Sequence, residues 1–140
     1  MSYMITEGGL DMAGITYLRS KMSKTKDMAM TIGIDSTQNL DRDHDMYFVR
    51  SMIDLKRTLE EVKENKPYFC KLENMGGRYL FFFRNDDDEI TKKSLLKIFE
   101  LCRTFNIKEI VFSEYEIRNI IPELNDIISE YDIQVYITIF

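Results

Sequence analysis

Arg78-Tyr79-Leu80-Phe81-Phe82-Phe83-Arg84 decides the fold, because it is a short aromatic run bounded by charged residues. Such a run predicts a buried strand. A helical pattern follows it, then an apolar strand at Lys108–Phe112, a second helical pattern and a last strand at Ile133–Phe140. Strand, helix, strand, helix, strand is the order of a parallel sheet covered by helices. We therefore predict an α/β domain with three layers, helix, sheet and helix, and a mixed, mostly parallel sheet.

A turn precedes the aromatic run. Its residues are Asn74-Met75-Gly76-Gly77, and glycine adopts positive φ without steric cost. The sequence therefore predicts a hairpin of Tyr68–Glu73 and Arg78–Arg84. We expect Tyr68–Glu73 to be an edge strand, which could pair with another chain.

Two helices in the second half follow from periodic apolar positions. The first begins near Asp88, the expected N-cap, and ends near Asn106. Its buried face is predicted from Ile90, Leu95, Ile98, Phe99, Cys102 and Phe105. The second is regular from about Ile121 to Glu130, with Pro122 in its first turn, where proline is tolerated.

The first half gives weaker signals. Met1–Thr6 is compatible with a strand, and Met28–Ile34 is apolar but fits either a strand or a helix. Near-helical spacing predicts a helix capped by Asp11 and carrying Met12, Ile15, Leu18 and Met22. An exposed acidic loop is expected at 35–46, and an amphipathic helix from about Tyr47 to Glu64 on Val49, Met52, Ile53, Leu59 and Val62.

Size and charge narrow the classes of function. The chain has 140 residues, which we interpret as one domain over 1–140, and its net charge is −5. An acidic protein is unsuited to non-specific binding of duplex DNA or of anionic membranes. No apolar run approaches the roughly 20 residues that a membrane helix needs. We therefore expect no contact with duplex DNA or with a membrane.

Cysteine usage bears on the cell compartment of the protein, and alanine usage bears on the kind of genome that encodes it. Cys70 and Cys102 lie in apolar segments, which predicts buried thiols in a reducing compartment. No signal-peptide pattern begins the sequence. We expect an intracellular protein, in the cytoplasm or nucleus of a host cell. Alanine occurs only at Ala13 and Ala29, a bias typical of AT-rich genomes such as those of some viruses.

Several polar groups are candidates for chemistry. His44 has no second imidazole or thiol nearby in sequence, so a solvated loop is favoured over a metal site. Asp86-Asp87-Asp88 lacks the spacing of a calcium loop and is interpreted as a helix start. Glu114 and Glu116 follow a strand and could act as an acid/base pair, but a solvated loop is favoured. We predict no metal and no cofactor.

Two stretches together resemble a macro domain, the ADP-ribose-binding fold, and within it the terminal ADP-ribose glycohydrolases. In the first, Met4-Ile5-Thr6-Glu7 precedes Met12-Ala13-Gly14-Ile15, where that branch has an Ile-Ser-Glu strand, a Gly-Ala-Gly-Ile loop and a basic helix. The second begins at Gly77-Arg78-Tyr79-Leu80-Phe81-Phe82 and ends at Asp132-Ile133-Gln134-Val135-Tyr136-Ile137. The resemblance covers about half of the chain and implies a shortened macro-like domain. It also implies ligand-binding residues, namely Ala13, Gly14, Ile15, Ser113 and Tyr115.

The chain departs from the family where the chemistry is done. The family's first strand and its Gly-Asp-Leu-Phe loop, which grips adenosine, have no recognisable counterpart. The nucleophilic lysine is replaced by Asn85-Asp86-Asp87, while Lys92 and Lys93 fall inside the following helix. The glycine-rich loop that wraps the diphosphate and supplies the catalytic aspartate is replaced by Ser113-Glu114-Tyr115-Glu116.

Three functions remain as alternatives. The departures favour a degenerate, non-catalytic macro-like module that works through a protein partner, with no catalytic residue. The second alternative is binding of ADP-ribose or a related nucleotide, with residual ADP-ribosyl glycohydrolase activity if the protein is an enzyme at all. The third is an unrelated small α/β regulator or inhibitor, for which the resemblance would be chance.

Overall fold

A computed structural model describes residues 4–5, 14–20, 28–33, 55–64, 70–75 and 77–139. Within these residues seven strands form one sheet: β1 Met4–Ile5, β2 Ile15–Leu18, β3 Ala29–Gly33, β4 Lys71–Met75, β5 Arg78–Phe83, β6 Glu109–Ser113 and β7 Gln134–Thr138. The helices are α1 Leu55–Glu64, α2 Asp88–Thr104, α3 Glu114–Ile117 and α4 Ile121–Ile128. The expected loop at 35–46, including His44, lies outside the described residues.

The sheet has the order β1-β2-β7-β6-β3-β5-β4. Its five inner strands are parallel, and β1 and β4 run antiparallel to their neighbours at the two ends. This confirms the predicted mixed, mostly parallel α/β sheet. We call the edge at which the five parallel strands end the carboxyl edge, and the edge at which they begin the amino edge.

Helices cover both faces of the sheet. On one face, Phe81 and Phe83 of β5 belong to the core that α2 and α4 complete with Leu95, Phe99 and Leu124. On the other, the Thr58 hydroxyl of α1 donates to the Glu73 carboxylate of β4 at 2.8 Å. Alternate residues of a strand face opposite ways, and Leu72 packs with the first face. The sheet is therefore the middle of the three predicted layers.

The predicted hairpin is confirmed, with β4 extending to Met75. Gly77 has φ +93°, which glycine adopts without steric cost, and its N–H donates to the Asn74 side chain at 2.8 Å. Phe81, Phe82 and Phe83 are fully buried, as expected of a strand covered on both faces. The aromatic run is therefore core.

The two C-terminal helices are confirmed with shifted ends. Asp87, and not Asp88, caps α2, since its carboxylate accepts from the Ile90 N–H at 2.9 Å. Asn106 ends the turn after α2 with φ +57°. Phe105, predicted to be buried, lies one residue beyond the helix and is 47% exposed. The proline at position 122 falls in the first turn of α4, as predicted.

The helix predicted after Asp11 is wrong where the structure describes it. Residues 15–18 form β2, which pairs with β7 from Ile15↔Val135 to Leu18↔Thr138. Ile15 and Leu18 are three positions apart, and this spacing alone cannot distinguish a helix from a strand of only four residues. The undecided segment 28–34 contains strand β3, whose five residues are all buried. The helix predicted at 47–64 is present from Leu55, and its earlier residues lie outside the described ranges.

No helix in the described ranges is both long and apolar enough to cross a membrane.

Candidate functional site

The sheet order brings the carboxyl ends of β6, β3 and β5 next to one another. The described helices that follow β5 and β6 are α2 and, after the short α3, α4, which lie on one face of the sheet. Open α/β sheets bind ligands outside the carboxyl ends of their parallel strands. The carboxyl edge around β3 is therefore the first place to look for a site.

The loop after β5 is held by its own polar groups. The Arg84 guanidinium binds the Asp86 carboxylate, and the Arg84 carbonyl accepts from the Ser94 hydroxyl at 3.1 Å. Asp87 is the cap of α2. The acidic run that replaces the expected lysine thus fixes the loop and the start of the helix.

Asn85 lies between these two features and reaches across the sheet. Its amide is so close to Gly33, the last residue of β3, that a Cβ added there would lie 2.7 Å from Nδ2. The same Nδ2 donates to the Glu116 carbonyl of α3 at 3.4 Å. Asn85 therefore joins the ends of β5, β3 and β6.

The residues after β6 form a short helical turn and not the predicted solvated loop. Glu116 in this turn is only 9% exposed, so the expectation of a solvated carboxylate is wrong for it. Glu114 accepts two hydrogen bonds from the Arg118 guanidinium, both at 3.1 Å. Tyr115 projects outwards and is 54% exposed.

A cavity of about 350 Å³ lies between the loop after β5 and the turn after β6. Four carboxylates and one guanidinium line it, from Asp86, Asp87, Asp88, Glu116 and Arg118. The nearby cations are already paired with carboxylates, in Arg84–Asp86, Lys92–Glu123 and Arg118–Glu114. The local field at this cavity is therefore negative.

The five predicted ligand-binding residues do not form one site. Ser113 and Tyr115 lie at the carboxyl edge. Gly14 and Ile15 lie at the amino edge, where the Gly14 carbonyl accepts from the Val135 N–H at 2.6 Å. Ala13 is outside the described residues. The assignment of Ile15 to a loop before a helix is therefore wrong, because Ile15 begins strand β2.

Sequence reasoning missed Gly33, Asn85 and Asn119. A signal existed for Gly33, since a lone glycine inside an apolar strand pattern marks a close approach of backbone or ligand. Asn85 and Asn119 gave no signal, because their contacts are to residues 31 or more positions away.

A larger groove of about 1370 Å³ lies at the amino edge. Its lining includes Arg78, Tyr79, Phe105, Lys108 and Gln134. Size alone does not favour it over the carboxyl edge, where the topology directs ligands.

Metal chemistry has no candidate in the described ranges, which contain no group of three or more His, Cys, Asp or Glu side chains arranged to hold an ion.

No protein-family model matches the chain, and no curated protein matches its sequence. Solved structures do match in fold. The macrodomain of Trypanosoma brucei in complex with ADP-ribose has a TM-score of 0.65 at 14% identity, over 89% of this chain and 63% of that one. The macrodomain of Mycobacterium tuberculosis DarG has a TM-score of 0.62 at 12% identity, over 89% of this chain and 96% of that one.

A third structure, the Oceanobacillus iheyensis macrodomain with ADP, has a TM-score of 0.62 at 10% identity, over 89% of this chain and 82% of that one. This chain thus spans less than two thirds of the trypanosomal structure. The expectation of an unrelated α/β fold is wrong, and the shortened macro-like architecture is confirmed. The protein has the macrodomain fold, at 10–14% sequence identity to these structures.

Proposed function

We propose that the protein is a non-catalytic macrodomain that acts through contacts with a protein partner. The observation that carries this proposal is the acidic cavity at the carboxyl edge, whose nearby cations Arg84, Lys92 and Arg118 are already paired. A diphosphate ligand is favoured by free N–H groups and cations. Four acidic residues line this cavity, and the guanidinium among them, that of Arg118, is paired with Glu114.

The size of the electrostatic penalty supports this reading. A carboxylate about 4 Å from a phosphate opposes binding by ~4 kcal/mol at an effective dielectric constant near 20. Since about 1.4 kcal/mol is tenfold in affinity, one such contact corresponds to roughly a thousandfold loss.

Lys92 is a poor replacement for the family's lysine nucleophile. Its ammonium forms an ion pair with Glu123 at 2.7 Å on the exposed side of α2. The hydrogen bond and charge of Glu123 raise the pKa of Lys92, which keeps the amine protonated. A nucleophilic lysine needs the opposite shift.

Exposed Tyr115 beside the cavity is the side chain we assign to partner contact. Tyrosine is enriched in the centres of interfaces, because it combines apolar area with a polar end. Affinity purification with the wild type and with Tyr115→Ala tests this assignment. Phe105→Ala is the matched control, since Phe105 is an exposed aromatic at the amino edge. We expect Tyr115→Ala, and not Phe105→Ala, to lose the partner. Equal recovery by both variants would contradict the assignment.

The absence of catalysis has its own test. We expect no release of ADP-ribose from mono-ADP-ribosylated protein above a heat-denatured control. Activity that exceeds this control and is abolished by Lys92→Ala would overturn the non-catalytic proposal.

Nucleotide binding is the second candidate, because two of the similar structures contain ADP-ribose and ADP. Ser113 and Tyr115 would then contact the ligand from the carboxyl edge. Gly14 is a poor test position, since it has φ +83° and a Cβ there would lie 3.1 Å from the Ile128 side chain. Its replacement by aspartate would disturb folding whether or not a ligand binds.

A further inference from the structure

We infer that the acidic cavity at the carboxyl edge receives an arginine side chain of the protein partner. The inference rests on the proposed function and deepens it, because it names the chemistry by which the partner is recognised. The occupant is the guanidinium group of one arginine, held by carboxylates of the cavity and by the ring of Tyr115.

The described walls of the cavity come from one continuous part of the chain. They lie between Asn85 and Ile120, in the loop after β5, the first turn of α2 and the residues after β6. The volume of about 350 Å³ is near the lower limit of the roughly 300–1,000 Å³ that is typical of small-ligand pockets. This size suits one inserted side chain better than a large ligand.

The charge of the lining favours a cation. Four acidic residues line the cavity, and its one guanidinium, that of Arg118, is paired with Glu114. Among the acidic residues, Asp88 accepts from the neutral amide of Asn119 at 3.3 Å and meets no cation within the described residues. An entering cation is therefore attracted by the same field that repels a phosphate.

Glu116 supplies a second observation that points to a hydrogen-bond donor. This residue is only 9% exposed. Its carbonyl accepts from Asn85 and the residue has further contacts, but within the described structure its buried Oε1 atom accepts no hydrogen bond. Leaving a buried carboxylate oxygen without a donor is costly, and a guanidinium carries five N–H donors.

Tyr115 favours arginine over lysine. Its side chain lines the same cavity and is 54% exposed. A guanidinium is planar, stacks on aromatic rings and binds carboxylates in a bidentate manner, whereas an ammonium is compact and strongly hydrated. The chain contains such a pair elsewhere, because the Arg103 guanidinium lies 4.4 Å from the centre of the Tyr131 ring.

The probe for this site is the blocked tripeptide acetyl-Gly-Arg-Gly-amide. The same peptide with citrulline in place of arginine keeps nearly the same shape without the charge, and the peptide with lysine keeps the charge without the planar group. Titration of the ¹⁵N-labelled protein at 0.1 M salt, followed by the NMR shifts of its backbone amides, gives both the affinity and the location of binding.

Four variants accompany the wild type. Glu116→Gln and Asp88→Asn each remove one charge with little change of shape, and Tyr115→Ala removes the ring. Glu89→Gln is the matched control, since Glu89 is an exposed carboxylate in the same turn of α2, is paired with Lys93 at 3.7 Å and is not part of the described lining. Urea unfolding of each variant establishes that it is folded before it is titrated.

We expect the arginine peptide to shift the signals of residues 85–91 and 113–120 and to bind about tenfold more tightly than the citrulline peptide. Glu116→Gln, Asp88→Asn and Tyr115→Ala should each weaken binding about threefold or more, while Glu89→Gln matches the wild type. Equal affinity for the arginine and citrulline peptides would overturn the site, and so would unchanged affinity in both Glu116→Gln and Asp88→Asn.

A parallel titration with ADP-ribose separates this inference from the proposed function. Shifts of the same signals at micromolar ADP-ribose would contradict the proposed function. Failure of both ADP-ribose and the arginine peptide to bind would overturn the arginine site alone.

Discussion

Gly33 and Asn85 are joined by a contact that a double-mutant cycle can measure. Gly33→Ala places a methyl group where the Asn85 amide now lies, so the amide must move and lose its bond to Glu116. A hydrogen bond of this kind contributes about 1 kcal/mol to stability. We therefore expect Gly33→Ala to be more destabilising with Asn85 present than in an Asn85→Ala background, by about 1 kcal/mol.

Urea unfolding of the wild type, both single variants and the double variant gives this coupling energy. Gly77→Ala is the contrast, since among the described residues beyond its chain neighbours no atom lies within 4 Å of a Cβ there, and its φ of +93° opposes the change. Its effect should be the same with and without Asn85. A coupling energy of zero for Gly33 would mean that the amide moves away without cost.

The buried thiols Cys70 and Cys102 predict how stability depends on pH. Burial raises the pKa of each thiol from 9.0 to about 12 in the folded protein. Between these values the folded chain retains protons that the unfolded chain releases, so the free energy of unfolding falls as pH rises. The contribution is fully present below pH 9 and is lost between pH 9 and 12, by about 1.4 kcal/mol per pH unit for each thiol at most.

Urea unfolding at pH 8, 9 and 10 measures this slope. Desolvation also raises the pKa values of Tyr131 and Tyr136, but their contribution begins only near the ordinary tyrosine value of about 10. Cys102→Ala should halve the slope between pH 9 and 10. A slope unchanged in that variant would show that another group titrates.

At the scale of elements, the start of α2 depends on one carboxylate. The Asp87 side chain accepts from the Ile90 N–H, whereas Asp88 and Glu89 lie within the first turn. Loss of an N-cap typically costs about 1 kcal/mol, so Asp87→Ala should lower the free energy of unfolding by about that amount. Asp88→Ala, which leaves the cap in place, should change it by less than half as much. Thermal and urea unfolding of the two variants compare them, and equal effects would contradict the capping assignment.

The elements that the sequence predicted well are those with strong local patterns. α2 and α4 have apolar faces several turns long, and β5 is an apolar run next to a glycine turn, so local periodicity is sufficient. β3 was undecidable because both of its faces are buried, which removes the alternation that marks a strand. The helix predicted where the structure has β2 is wrong, because the apolar spacing of four residues fits a helix as well as a strand.

The candidate site was only partly predictable for a different reason. Its acidic character is visible in the sequence at Asp86–Asp88 and at Glu114 and Glu116. The contact of Asn85 with Gly33 joins residues far apart in the chain and depends on the pairing of β3 with β5. No local pattern encodes such a contact, so it follows only from the sheet topology.

At the scale of the molecule, the fold and the carboxyl edge favour different functions. The fold is that of macrodomains, two of which were solved with ADP-ribose or ADP. The carboxyl edge of this chain is acidic, and its nearby cations are paired with carboxylates. Our account is that this chain combines the macrodomain fold with an acidic carboxyl edge that opposes the binding of a diphosphate.

Calorimetric titration of the wild-type protein with ADP-ribose at 0.1 M salt tests this account most directly. We predict no binding heat and no thermal shift at millimolar ligand, since each close carboxylate costs roughly a thousandfold in affinity. Micromolar binding would contradict the account, because the acidic edge would then have to rearrange around the phosphates.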